Sequence, residues 1–209
     1  MLSTPIRSLY ASYHLEGATL VVTADAVVGA IVVGAPVVGA TVVGAAVFGA
    51  APVVAGLLAR YTADFLSSPN IKYNIRIYDK KTHLRTHSLE DTVNESEIVF
   101  LSVPTPANTN GSVNLNIIDQ ALNEINFCTL GESIILIRST LIPGTTKMFQ
   151  KKYPKIKMVF NPEFLTERNA DYDFVNQSRI ILGGNIQLTS IVSQLYKLRF
   201  DISIPIIET

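Results

Sequence analysis

The strongest constraint in this chain is a series of short, mainly apolar runs separated by segments of helical periodicity. Glu97–Val103, Ser133–Ile137, Lys157–Phe160 and Arg179–Gly184 read as strands covered on both faces. Between them, Ile117, Ile118, Ala121, Leu122 and Ile125 recur at helical spacing, with Asp119 and Glu124 on the outer side. Pro143-Gly144-Thr145 starts a second helix, residues 187–198 form another, and a last strand spans Ile202–Ile207. Upstream, Tyr73–Asp79 alternates as a strand and Glu90–Asn94 starts a short helix. Strands that alternate with helices and are buried on both faces predict an α/β fold, a doubly wound, mainly parallel sheet with right-handed crossovers. With 209 residues, 48% of them apolar, the chain can bury the core of one such domain.

Parallel strands present their C-terminal ends to one edge, where open α/β sheets bind ligands. The polar residues of this chain gather there: Asp79, Thr105, Ser139, Thr140, Glu163 and Glu167. Pro104 and Pro106 end one strand and hold an extended turn. In Asn161–Glu167 (NPEFLTE) two carboxylates stand four residues apart, just after a strand. If that stretch coils into a helical turn, Glu163 and Glu167 share one face and one small volume. Like charges held close push their pKa values apart, so such a pair can divide acid and base roles. The plainer reading is a solvated helix start, where acids are favoured by the dipole.

Residues 1–17 read as a tail or edge element without the features of a secretory signal, and residues 18–209 as the domain. The domain opens atypically, over residues 18–59. No charge occurs between Asp25 and Arg60, and a Val-Val-Gly-Ala theme recurs with glycines at Gly29, Gly34, Gly39, Gly44 and Gly49. The run exceeds the roughly 20 residues that span a bilayer. A period of five, however, advances about 140° per repeat on a helix and forms no stripe, and on a strand it sends alternate glycines to opposite faces. Three readings follow: a transmembrane hairpin, a low-complexity insertion, or a buried strand, loop and helix. In the third, Thr41–Ala50 supplies a strand that ends in a glycine turn, as a Rossmann-like dinucleotide site requires. Gly44 and Gly49 then occupy the first and third glycine positions, with Ala46 at the second. Asp79, at the tip of the next strand, is either an acceptor for ribose hydroxyls or a simple turn aspartate; it stands about ten residues beyond the usual gap of about 20.

Lysine plus arginine and aspartate plus glutamate number 17 each, so no strong field draws the chain to nucleic acid or acidic membranes. The sole cysteine, Cys128, fits a reducing compartment such as the cytoplasm and reads as a structural thiol. His83 and His87 share a helical spacing, but no third metal ligand accompanies them, so no metal is expected.

In order and spacing, Ser102–Pro106 (SVPTP), Arg138–Thr145 (RSTLIPGT), Asn161–Glu167 and Arg179–Gly184 (RIILGG) closely resemble the N-terminal NAD-binding domain of the nucleotide-sugar dehydrogenases, the UDP-glucose and GDP-mannose dehydrogenases. The resemblance covers about residues 73–184 and is poor before Asn70, where an insertion, a fusion or a shifted reading frame would explain the change. It implies a bound NAD and a sugar 6-hydroxyl oxidised twice, to an aldehyde and then, through a cysteine thioester and water, to a uronic acid. By motif position, Thr140 and Glu167 would hold the hydrolytic water and the nicotinamide side, and Glu163 would serve acid and base chemistry. The backbone of Phe164 and Leu165 would bind the sugar. Val103, Pro104, Thr105, Ser139 and Thr140 would border the cofactor, and Asp79 would take its ribose. The family's catalytic cysteine, lysine and asparagine belong to a central helix and a C-terminal domain expected after Thr209; Cys128 does not match. This stretch alone is therefore expected to bind NAD without completing the oxidation. A UDP-hexose is the expected substrate, with a homo-oligomer or a partner chain supplying the C-terminal domain. The alternatives are a non-catalytic scaffold derived from the domain, and a domain anchored in a membrane through residues 26–59.

Overall fold

Ile98–Leu101 and Ile134–Ile137 are buried at every position, which only a strand with cover on both faces permits. In the computed structural model, which describes residues 11–15, 18–22, 32–33, 43–47, 75–82, 85–164, 172–173, 176–199 and 204–209, they are the middle of a sheet. The strands in chain order are β1 (Ala11–Leu15), β2 (Ala18–Val22), β3 (Val32–Val33), β4 (Val43–Val47), β5 (Ile75–Asp79), β6 (Ile98–Leu101), β7 (Ile134–Ile137), β8 (Lys157–Phe160), β9 (Ile180–Gly184) and β10 (Ile206–Glu208). The helices are α1 (Leu89–Asn94), α2 (Asn116–Cys128), α3 (Thr145–Lys152) and α4 (Ile186–Arg199).

Five strands, in the order β5-β4-β6-β7-β8, run parallel, in register from Val47↔Asp79 at one side to Ile137↔Phe160 at the other. This is the doubly wound, mainly parallel, Rossmann-like sheet that the alternation predicts. One face carries Val99, Leu101, Ile135, Ile137 and Met158, packed with Ile118, Ala121, Leu122 and Ile125 of α2 and Phe149 of α3. The alternate residues Ile98, Phe100, Ile134, Leu136 and Val159 are buried too. At the far end, α4 packs on β8, β9 and β10. Ser88 caps α1 by accepting from the Asp91 N–H at 3.0 Å.

Three features depart from the expectation. First, β9 is antiparallel to β8, with Val159 opposite Gly184, and β10 is parallel to β9. Gly184 has φ 150°, and a Cβ there would lie 3.1 Å from the Met158 carbonyl, so the glycine admits a close approach of the two backbones. Second, the last strand begins at Ile206 rather than Ile202. Pro205 has no N–H for the ladder, and its carbonyl instead accepts from Ile180 N at 3.0 Å. Third, β1 pairs with β2 in an antiparallel hairpin, so the boundary drawn at residue 17 falls between two paired strands. Within the charge-free run, Val43–Val47 is a paired strand between β5 and β6, which accords with the strand-loop-helix reading for these residues. Most of residues 26–59 lie outside the described residues, and among those described no helix is long and apolar enough to cross a membrane.

Leu122→Ala, at a fully buried position of α2, is expected to lower unfolding free energy by about 2–5 kcal/mol. Phe127→Ser, at a residue 83% exposed one turn further on, should change it by no more than about 0.5 kcal/mol. Denaturant titration of both variants checks the contrast.

Candidate functional site

The strand order sets where a ligand crevice opens. The chain leaves β5 on one side of β4 and crosses to β6 on the other, so the topological switch lies between β4 and β6, outside their C-terminal ends. Val47 ends β4 beside Asp79, the last residue of β5. Leu101 ends β6, and Ser102–Pro106 follows it.

Two of the strand-end turns are joined by side chains. The buried Ser139 hydroxyl accepts from Val103 N and donates to Val103 O, both at 2.8 Å. One hydroxyl thus satisfies both backbone groups of a buried residue. This also explains why β6 stops at Leu101 rather than at Val103: the next bonds go to a side chain and not to a strand. Thr105 Oγ1 donates to the Thr140 carbonyl at 3.0 Å, a second tie between the same turns. Pro104 is buried and Thr140 exposed. Val103, Pro104, Thr105, Ser139 and Thr140 therefore form one connected rim at the switch point.

Asp79 is fully buried, and its Oδ1 accepts from Lys81 N at 2.7 Å, closing the turn after β5. The turn role and the position beside the end of β4 coexist. Gly44 requires a correction: it lies inside β4, opposite Arg76 and Val99, three residues before the strand ends. Pairing on both sides places it within the ladder and not in a turn. Gly49, Leu165 and Glu167 lie outside the described residues.

Residues 161–164 are not helical, and the partner found for Glu163 is a cation. Arg138 follows β7 directly and is 3% exposed. A guanidinium at such depth needs partners for its charge and its protons. Arg138 Nη2 donates to Glu163 Oε2 at 2.9 Å, and Nη1 donates to Tyr196 Oη at 3.1 Å and to Asn161 Oδ1. Tyr196, from α4, also donates to Asn161 Oδ1. Asn161 is anchored in turn: its Nδ2 donates to the Ile181 carbonyl and its N–H to the Ile137 carbonyl, each at 2.9 Å. Burial pushes the Glu163 carboxyl above the usual range, while the charge and hydrogen bond of Arg138 pull the other way. Burial likewise raises the Tyr196 phenol, against the pull of Arg138.

Arg138, Asn161 and Tyr196 are absent from the site residues that sequence analysis selects. Arg138 carries a signal, being a cation that ends a run of four buried aliphatic residues. Tyr196 carries none, because an aromatic on an amphipathic helix reads as core. Phe164 is 56% exposed, with the Arg179 guanidinium 4.8 Å from its ring centre. Cys128 is half-buried at the end of α2 and, through burial, its thiol is pushed up, as for a structural cysteine.

A parallel sheet with an acid at the tip of the strand beside the switch point, and a tied rim across from it, defines a dinucleotide-binding domain of the Rossmann type. The sequence model of the UDP-glucose/GDP-mannose dehydrogenase family, NAD binding domain, matches residues 71–199, more than half of the chain. The chain belongs to this family, and the domain is its NAD-binding domain. An uncharacterized protein of Methanocaldococcus jannaschii is 34% identical over 125 residues, 56% of this chain and 14% of that protein. UDP-glucose 6-dehydrogenase of Rickettsia bellii is 30% identical over 104 residues, 48% of this chain and 24% of that enzyme. Among solved structures, a ternary complex of GDP-mannose dehydrogenase from Pseudomonas aeruginosa superposes with a TM-score of 0.52 at 26% identity, covering 59% of this chain and 31% of that one. The chain thus spans less than a third of the length of each of these relatives.

Ser139→Ala leaves the buried Val103 N–H without a partner and is expected to cost about 1–3 kcal/mol of stability. Amide hydrogen exchange should show the Val103 N–H exchanging faster in the variant, while amides in the middle of α2 slow or hasten only with global stability.

Proposed function

We propose that this chain is the cofactor-binding part of an enzyme that oxidises a nucleotide sugar with NAD, of the UDP-glucose 6-dehydrogenase type, and that a catalytic-cysteine domain completes it. The observation that supports the reading is the tied rim after β6 and β7, together with Glu163 held by Arg138, the residue next to Ser139. The residues present fit the cofactor. Asp79 lies at the strand tip where it would take the ribose of the cofactor, and Val103, Pro104, Thr105, Ser139 and Thr140 would border the cofactor. Gly49, at the third glycine position, would let backbone approach the pyrophosphate.

NAD, when bound, accepts the hydride from the sugar carbinol carbon. That transfer requires loss of the hydroxyl proton, which Glu163 takes directly or through a water that it holds. Arg138 opposes the effect of burial and so favours the ionised carboxylate that this task needs. Thr140 and Glu167 hold the water of the second, hydrolytic stage, and the backbone of Phe164 and Leu165 binds the sugar. A UDP-hexose is the substrate favoured by the relatives' names, and a homo-oligomer or a partner chain supplies what the second stage needs. The free thiol of Cys128, the sole cysteine, supports a cytoplasmic setting.

Calorimetry on the purified chain tests the reading. The wild type should bind NAD, and Asp79→Ala should weaken binding by about tenfold or more, the scale of a hydrogen bond to a charged group. A folded wild-type chain that binds no NAD would overturn it in favour of a scaffold derived from the domain.

A further inference from the structure

We infer that Arg138, Asn161 and Tyr196 are positioning residues for Glu163: a buried hydrogen-bonded train, running from α4 to the end of β8, that fixes where the Glu163 carboxylate sits. The use of that carboxylate as a proton acceptor rests on the function proposed above; the train itself does not.

The arrangement is directional. Asn161, Tyr196 and Arg138 are 1%, 1% and 3% exposed, while the Glu163 side chain retains 12% exposure. Each buried member has at least two partners. Tyr196 accepts from Arg138 and donates to Asn161, and Asn161 Oδ1 takes both the tyrosine proton and an Arg138 proton. The guanidinium is therefore held on its inner side by two groups from different elements, and its Nη2 is left to engage Glu163 Oε2 at 2.9 Å. Each element supplies one constraint: β7 the arginine, the chain after β8 the asparagine, and α4 the tyrosine.

A train built only for stability would need no guanidinium. Burying an ion pair costs several kcal/mol per ion before its partners repay it, and apolar residues of the same volume commonly do as well. What the charge does provide is a fixed cation against one oxygen of a carboxylate that burial pushes toward its neutral form. The described titratable groups facing Glu163 are Arg138, from the end of β7, and Tyr196, from α4. Tyr196 donates to Asn161 and accepts from Arg138, the residue that contacts Glu163, so its hydroxyl separates a positioning role from simple charge pairing.

The test is a carbon-detected NMR titration of the Glu163 carboxyl in the full chain, assigned by its loss in Glu163→Gln. Relative to wild type, Arg138→Gln should move the midpoint to higher pH, and Arg138→Lys should recover most of the wild-type value. Tyr196→Phe, which preserves the packed ring, should move the midpoint in the same direction by less. Unchanged midpoints in folded Arg138→Gln and Tyr196→Phe overturn the inference, whatever their melting temperatures. If Arg138→Gln does not fold, Tyr196→Phe decides alone. A chain that binds no NAD but shows these shifts sinks the proposed function and keeps the train; one that binds NAD with unmoved midpoints does the reverse.

Discussion

The burial of parallel strands on both faces is the constraint from which the rest of this structure follows. Ile98–Leu101 and Ile134–Ile137 have no wet face on which to place a polar group. Polar side chains are then confined to strand ends, and parallel pairing brings the C-terminal ends of five strands to the same edge. Chemistry at that edge is a consequence of packing before it is a consequence of any motif.

At the edge the sheet's own bonding runs out, and side chains take over. Beyond Leu101 and Ile137 the adjoining turns are joined by hydroxyls, Ser139 to both backbone groups of Val103 and Thr105 to the Thr140 carbonyl. A hydroxyl that both donates and accepts can replace a missing ladder partner without imposing strand geometry. The prolines at 104 and 106 have no N–H to continue the ladder. The two turns are thus tied together without forming a strand.

Much of this was legible in the residues. The period of Ile118, Ala121, Leu122 and Ile125 locates α2 and its buried face, all four being fully buried, and the four ordered motifs identify the edge. The misses have physical causes. Strand direction is invisible in a run such as Arg179–Gly184, because side chains alternate between the two faces whichever way a strand runs. Gly44 went astray because a repeat offers several equivalent registers, and only pairing with Arg76 and Val99 shows which glycine lies inside the strand. Tyr196 stood 35 residues from Asn161, and nothing local distinguishes a tyrosine that fills a core from one that also bonds at its tip.

The Glu163 carboxylate is governed by two opposed effects of one environment. Removing water from it disfavours the charge, and the same removal strengthens the attraction of Arg138, because both scale with the fall in local dielectric. Its protonation therefore depends on geometry as well as on depth: desolvation, the larger effect, acts whatever the orientation, whereas the attraction of the guanidinium falls as the 2.9 Å contact lengthens. A carboxylate of this kind can be moved far along its titration by small displacements of its partner. Anchoring the arginine through Asn161 to β7 and β9, and through Tyr196 to α4, suppresses those displacements. The helix that lies furthest along the chain thus contributes to the electrostatics of an edge it does not border, through a single hydroxyl.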